Sequence, residues 1–556
     1  MSKIHKKNDI KKLAVLACLV AGFSISSAAL AADDGKLSLA EAIKITLEQS
    51  PTRFIQQAGV AAAQAGVEIQ EGAFNPTTSA GINYGQVYEP FNHVANGALA
   101  GVGFTGSDSK MSYDSSIGCG QALTPCYVYN NYWGRNLATV HAELSKYFET
   151  GINATVSASD TRLNQINLSP DSRPNANTSQ VNLKLNIPLL KNGGTESAAG
   201  FLNAARKGQE AAVQDYTFFL TGLANDVIHA YWDYRLATDT VKIRETSRDR
   251  VTRISSQVAL FASNPKMKEK IDQVVYTAEA AKVAKNRVVI EAQQAMEQAR
   301  TTFALTLGVA PEQFTTIAEP SDEIPSGMIP STFDAKKVQS VWRKTAVENR
   351  LDLQAARSRQ EAVSFIVAKT ERDLYPQVDL NLAVGYQGLK EGTSIGDMAS
   401  ALGNNVPGPT WATGVEFSYP IGNQAAEGAL NKARANYKQA ELSVYQATRG
   451  IDASILIISG FVDRYVQAIG HAEQAVKDNT AALAAWKRTP LTDPSSILGM
   501  LQTEAQLTES TLAALQIRAD YTKLVADIRF KTGLLGKATS VEEYAVSFND
   551  ITQLPR

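Results

Sequence analysis

Histidine and cysteine are scarce in this 556-residue chain, with five and three residues. No Cys-x-x-Cys pair and no His-Glu-x-x-His is present, so the common zinc and redox signatures are absent. Gly536-Lys537 runs into Ala538, has Lys531 where the P-loop pattern needs its first glycine, and is no phosphate cradle. A basic surplus is lacking too: 54 Lys+Arg against 55 Asp+Glu give a net charge of −1, which points away from nucleic acid. Beyond residue 32 no uninterrupted apolar run approaches the ~18 residues that a spanning helix needs. These absences leave no catalytic, cofactor or metal constellation and predict a protein that is not an enzyme. What is there is a folded composition, 44% hydrophobic and 20% charged. The length exceeds one ordinary core, so several domains or an elongated architecture are expected.

The N-terminus reads as an export signal over residues 1–31. Lys3, Lys6, Lys7, Lys11 and Lys12 precede an apolar stretch from Leu13 to Ile25, and Ala29-Leu30-Ala31 offers small residues for cleavage after Ala31. An uncleaved anchor and lipidation of Cys18 are the rival readings. Removing the segment's five lysines and one aspartate from 54 basic and 55 acidic residues leaves 49 and 54, a net charge of −5. The mature chain retains Cys119 and Cys126, separated by six residues in a Gly/Ser/Tyr/Asn-rich stretch. In an oxidising compartment they are expected to bond, although spacing alone does not exclude two free thiols.

The strongest signal is an internal repeat, one copy over 32–330 and the other over 331–536, followed by a tail over 537–556. Each copy opens with a helical pattern, Arg53 to Glu71 and Leu351 to Arg372, stopped at Asn75-Pro76 and Tyr375-Pro376. Alternating segments follow. Ala80, Ile82, Tyr84 and Tyr88 pair with Leu380, Leu382, Val384 and Tyr386 as apolar positions at period two. Return strands carry Val181, Leu183, Leu185 and Ile187 before Pro188, and Thr413, Val415, Phe417 and Tyr419 before Pro420. The strand regions thus fall at about 78–190 and 378–420. Such a face suits a soluble sandwich or, since the rest of each copy is helical, a barrel whose apolar side meets lipid.

Helical hairpins then span about 196–308 and 424–533, with turns at Asn264-Pro265 and Pro490 to Pro494. First helices of over 60 residues would extend ~100 Å. Stripes such as Ala278, Ala281, Ala284 and Val288, or Ala433, Tyr437, Ala440 and Val444, predict narrow coiled-coil-like packing. The first copy has about 68 more residues between its strand prolines than the second. This insertion holds an irregular stretch, Phe91 to Gly134, and an extra hairpin turning at Thr150-Gly151.

This order resembles the TolC-like outer-membrane efflux protein family. The local features are Leu37-Ser38-Leu39-Ala40-Glu41-Ala42-Ile43, the two prolines that open the strands, Ile187 to Gly194, Tyr419 to Asn423, and the helix endings Phe303 to Gly308 and Phe530 to Gly533. The resemblance implies an α+β membrane protein: a homotrimer whose chains each give four strands to a twelve-stranded barrel, continued by a long α-helical periplasmic barrel. It further implies an inner-membrane pump or ATPase and a periplasmic adaptor docking at the hairpin tips. Ala262 to Ile271 and Thr489 to Ile497 lack the glycine-containing tip common among adaptor-binding members, which leaves the partner open.

The expected function is an outer-membrane exit channel for small molecules or polypeptides, in contact with lipid and with no cofactor. The alternative is a structural or adhesive envelope protein with a helical rod and a surface loop; a hydrolase with a dispersed carboxylate pair is remoter. Val181, Leu183, Leu185, Val415 and Phe417 are expected to face lipid, with Lys184 and Glu416 in the lumen. Asp493 and Asp272 are gate candidates near the hairpin turns, because rings of carboxylates favour cations. Both also read as ordinary turn or helix-start residues.

Overall fold

The computed structural model describes residues 36–90, 112–113, 127–128, 132–166, 175–263, 265–325, 334–404, 409–486, 488, 494–538, 544–545 and 554–555. The expected signal segment with Cys18, and Cys119, Cys126 and Asp493, lie outside the described residues. The chain forms two compact units. One is helical, from residues 1–61, 211–357 and 443–556; the other holds the large sheet, from residues 62–210 and 358–442.

In the helical unit, α1 (Leu39–Gln49) begins at a capping box. Ser38 Oγ accepts from the Glu41 amide at 3.3 Å, and the Glu41 carboxylate accepts from the Ser38 amide at 3.1 Å. A hydrogen bond donated by the Ser38 hydroxyl at 2.7 Å, and then the one from the Ser38 amide, hold the Glu41 pKa below its ordinary value. Helix α2 is Pro51–Gly72, α3 is Gly200–Ala262 and α4 is Pro265–Leu307. Leu39, Ala42 and Ile43 of α1 are buried with Tyr231, Trp232, Phe303 and Leu307 in one core cluster. Tyr231 ties the cluster to the chain start: its hydroxyl donates to Asp322 at 2.7 Å, while Lys36–Leu37 pairs in parallel with Glu319–Pro320.

Helices α5 (Ala335–Asn349) and α6 (Leu351–Arg372) precede the second strand region. α8 (Gln424–Trp486) and α9 (Pro494–Thr532) follow it. Gly533 ends α9 with φ 74°; its amide and that of Leu534 donate to Phe530 and Arg529 carbonyls at 3.1 and 2.7 Å. That double closure is a Schellman cap, which glycine adopts without Cβ strain. A second core joins Trp342, Ile451, Ile455, Val462, Val525 and Ile528. The tail docks on it: Trp342 Nε1 donates to the Pro555 carbonyl at 3.2 Å, and Leu554 packs alongside. Deleting Leu554 to Arg556 is expected to cost about 1–3 kcal/mol, from lost apolar burial and a buried indole deprived of that acceptor. A thermal midpoint unchanged by the deletion would show the docking to be idle.

The stripe on α4 runs in a different phase from the alanine pattern. Val274, Ala278, Val289 and Ala292 are buried, whereas Ala284 is exposed and Val288 only half-buried. Lys285 falls on this buried stripe, at helical spacing from Ala278 and Val289, with its ammonium 3.2 Å from the Glu504 carboxylate. On α8 the stripe is looser: Ala433 is buried, Ala440 and Val444 are half-buried, and Tyr437 sits at the exposed margin.

The sheet unit holds β1 (Thr77–Pro90), β2 (Tyr132–Tyr147), β3 (Asn153–Ile166), β4 (Ala176–Pro188), β5 (Gln377–Glu391) and β6 (Thr410–Ser418). They form one six-stranded sheet in chain order, antiparallel throughout. The four strands per chain implied by the resemblance are thus exceeded: the hairpin β2–β3 lies inside the sheet, between β1 and β4. Its turn is locked in place. Gly151 has φ 90°, and a Cβ there would lie 2.1 Å from the Asn192 carbonyl, while the Gly194 amide donates to Thr150 at 3.0 Å. After β4 and β6 the chain leaves through left-handed residues, Asn192 (φ 61°) and Gly194 (φ 82°), then Gly422 (φ 88°) and Asn423 (φ 31°). Asn and Gly are the residues that tolerate this region best.

Candidate functional site

Directly opposed residues of an antiparallel sheet share a face. Registers therefore trace two faces across all six strands. On the first, Leu183 opposes Val156 and Val384, Val156 opposes Leu144, Ile82 opposes Val140, and Val415 and Phe417 oppose Leu380 and Val378. Its large side chains are uncovered: Ile82 is 78% exposed, Phe417 68% and Leu183 44%. Along β5 the apolar positions from Val378 to Tyr386 cover about 27 Å at ~3.4 Å per residue, close to the ~25 Å apolar band of an outer-membrane barrel.

The second face is polar. Lys184 opposes Thr155 and Ala383, and Glu416 opposes Asp379. Both Lys184 and Glu416 are exposed. Near them Asn186 Nδ2 donates to Asn381 Oδ1 at 2.8 Å and to Asp379 Oδ2 at 3.3 Å, and Gln377 Nε2 donates to Asp379 Oδ2 at 2.7 Å. Lys184, Asn186, Asn381, Thr155 and Gly414 line an open hollow of about 460 Å³ on this face. The sheet thus brings Lys184 and Glu416 to one side and the five apolar residues named with them to the other.

The apolar face ends where charge appears on it. Asp160, Arg162, Asn177 and Lys390 occupy its positions toward the loop end of β3–β5. A short helix, α7 (Ile395–Ser400), covers them. Lys390 Nζ lies 3.3 Å from Asp397 and donates to Ser400 Oγ at 2.7 Å, Ser179 Oγ donates to Met398 O at 3.4 Å, and Arg162 donates to the Thr393 carbonyl. Gly388 permits the close approach, since a Cβ there would lie 2.1 Å from Ala401 O. Hydrogen bonds to Ser394 hold the Asp397 pKa below its ordinary value.

Asp272 is an exposed residue of α4. Among the described residues no group of three or more metal-ligating side chains lies together, and no helix is long and apolar enough to cross a membrane. Sequence reasoning missed one charged cluster in the helical unit. Glu504 of α9 is fully buried; its Oε1 accepts from Arg250 Nε and Nη2 at 3.2 and 3.1 Å and from Thr508 Oγ1 at 2.9 Å. Lys285 Nζ stands 3.2 Å from Oε2, an ion contact without hydrogen-bond alignment. The three charges come from three helices, so no local spacing announces them.

No family model and no curated protein matches the sequence. Solved structures do match the fold. The outer-membrane channel OprN superposes with a TM-score of 0.55 at 15% identity over 91% of both chains. The outer membrane protein VceC of Vibrio cholerae gives 0.54 at 15%, covering 89% of this chain and 96% of its own. The open-state MtrE outer membrane channel of Neisseria gonorrhoeae gives 0.54 at 14%, covering 92% and 94%. The chain therefore has the fold of the TolC-like outer-membrane channels.

Proposed function

We propose that this chain is an outer-membrane exit duct, exported through a cleaved signal peptide and assembled as a trimer. The observation that carries the reading is the six-stranded meander with one exposed apolar face and one polar face. An uncovered apolar face this broad is costly in water and is satisfied by lipid, while the polar face suits a water-filled lumen. The long helices continue the duct into the periplasm, where an adaptor and an inner-membrane pump or ATPase deliver the cargo. The duct performs no covalent chemistry, and its relation to the channels named above supports that reading through fold alone. Asp493 and Asp272 are the candidates for carboxylate rings at the inner constriction.

Single-channel recording in a planar bilayer tests the reading. Purified mature protein is expected to conduct, and Asp493→Ala to lose cation selectivity and divalent-ion block. Conductance with unchanged selectivity would reduce Asp493 to a helix cap and leave the duct intact. Absence of any conductance from correctly folded protein would favour the envelope rod instead.

A further inference from the structure

The two outer strands of the sheet are unpaired on one side. Among the described residues β1 pairs only with β2 and β6 only with β5. They are 14 and nine residues long. All of β6 and residues 77–80 and 82–86 of β1 are exposed. Such an edge is a template for another strand. Protection is sparse on both: β6 reads Thr-Trp-Ala-Thr-Gly-Val-Glu-Phe-Ser, with one charge and no proline, and β1 has its one charge and its one proline only at its last two positions, Glu89 and Pro90.

Which strand fits follows from parity. Five successive antiparallel pairings make β1 and β6 run in opposite directions. The β1 edge of one copy and the β6 edge of another can therefore pair antiparallel, head to tail, and a heterologous contact of that kind closes into a ring when its rotation is a whole fraction of a turn. The apolar faces also agree. Ile82 and Tyr84 on β1 occupy the same face as Trp411, Val415 and Phe417 on β6, so the joined sheet keeps one face apolar all round. A partner with a different alternation would turn apolar residues toward the lumen.

We infer that copies of this chain join β1 to β6 and that three of them close an eighteen-stranded wall, of which the β2–β3 hairpins supply one third. This rests on the exit-duct reading and its trimer. The hairpin is a structural stave of the wall. It pairs along 14 residue positions with β1 and along 11 with β4, and its turn is fixed against residues 192–194. Eighteen strands are in the range that leaves an aqueous channel, and barrel diameter grows roughly linearly with strand number. The loop-side mouth would thus be about 1.5 times as wide as one built from four strands per chain, admitting bulkier cargo.

Cryo-electron microscopy of the full-length protein in lipid nanodiscs tests this. The expected result is a continuous ring of eighteen strands with β1–β6 junctions between copies. A twelve-stranded ring with the hairpin folded aside, or a ring of any other number, overturns it. If the protein conducts while the ring differs, the duct reading survives and this inference does not; if it neither conducts nor forms a ring, both fall. Deleting Tyr132 to Ile166 offers a second readout, because β1 and β4 remain antiparallel without the hairpin. The largest polyethylene glycol that enters from the loop side should fall in diameter by about one third. An assembled variant with an unchanged size limit overturns the inference, and should the variant not assemble, the wild-type ring decides.

Discussion

Glu504→Gln is expected to destabilise the helical unit by about 3–5 kcal/mol, the scale for removing one partner of a buried ion cluster. The carboxylate is fully buried and faces two cations, Arg250 at 3.1 Å and Lys285 at 3.2 Å. Glutamine fills the same space but leaves two positive charges, themselves largely shielded from water, with no counter-charge between them. Replacing all three at once, by Arg250→Met, Lys285→Met and Glu504→Leu, should recover most of the loss, since an apolar cluster of similar volume avoids the desolvation cost. The midpoint of thermal loss of helical circular dichroism in detergent measures both variants. A single substitution that moves the midpoint no more than the triple one would refute this account.

Leu183→Arg should impair assembly far more than Lys184→Leu. The two residues are neighbours on β4 and face opposite sides of the sheet. Leu183 lies among Val156 and Val384 on the apolar face, where a charge at mid-bilayer depth costs about 2–4 kcal/mol. Lys184 stands on the polar face beside the hollow lined by Asn186 and Asn381; on the proposed duct reading that face is the lumen, where leucine loses hydration but meets no lipid. Heat-resistant oligomer recovered from outer-membrane fractions is the readout. Equal recovery of the two variants would count against a lipid-facing wall.

Much of this architecture was legible because it repeats at short period. Alternation exposed the faces of β4 and β6, and prolines marked where helices give way to strands. The TolC-like fold followed from the order of such elements, although identity to the solved channels is only about 15%. The placement of the β2–β3 hairpin inside the sheet was not legible, because a period of two shows that a strand has faces and not which strand it pairs with. The phase of α4 was misread for a related reason. An alanine-and-valine pattern cannot anticipate that Lys285 turns inward, since its partner Glu504 is 219 positions away in sequence. The cover of α7 over Arg162 and Lys390 is likewise long-range, depending on the room left at Gly388.

The meander also fixes how unequal its joins are. Tyr147 and Asn153 face each other across five intervening residues, whereas Pro188 and Asp379 do so across 190, among them all of α3 and α4. For a flexible chain, closing the longer loop costs about 3 kcal/mol more entropy, since the cost rises as (3/2)RT times the logarithm of length. Covalent continuity thus draws β2 and β3 together along a short path and leaves β5 to be held by what it meets. At that seam stand the bonds from Asn186 to Asp379 and Asn381 and the side-by-side packing of Leu185 and Leu382, the contacts that must offset the longer closure.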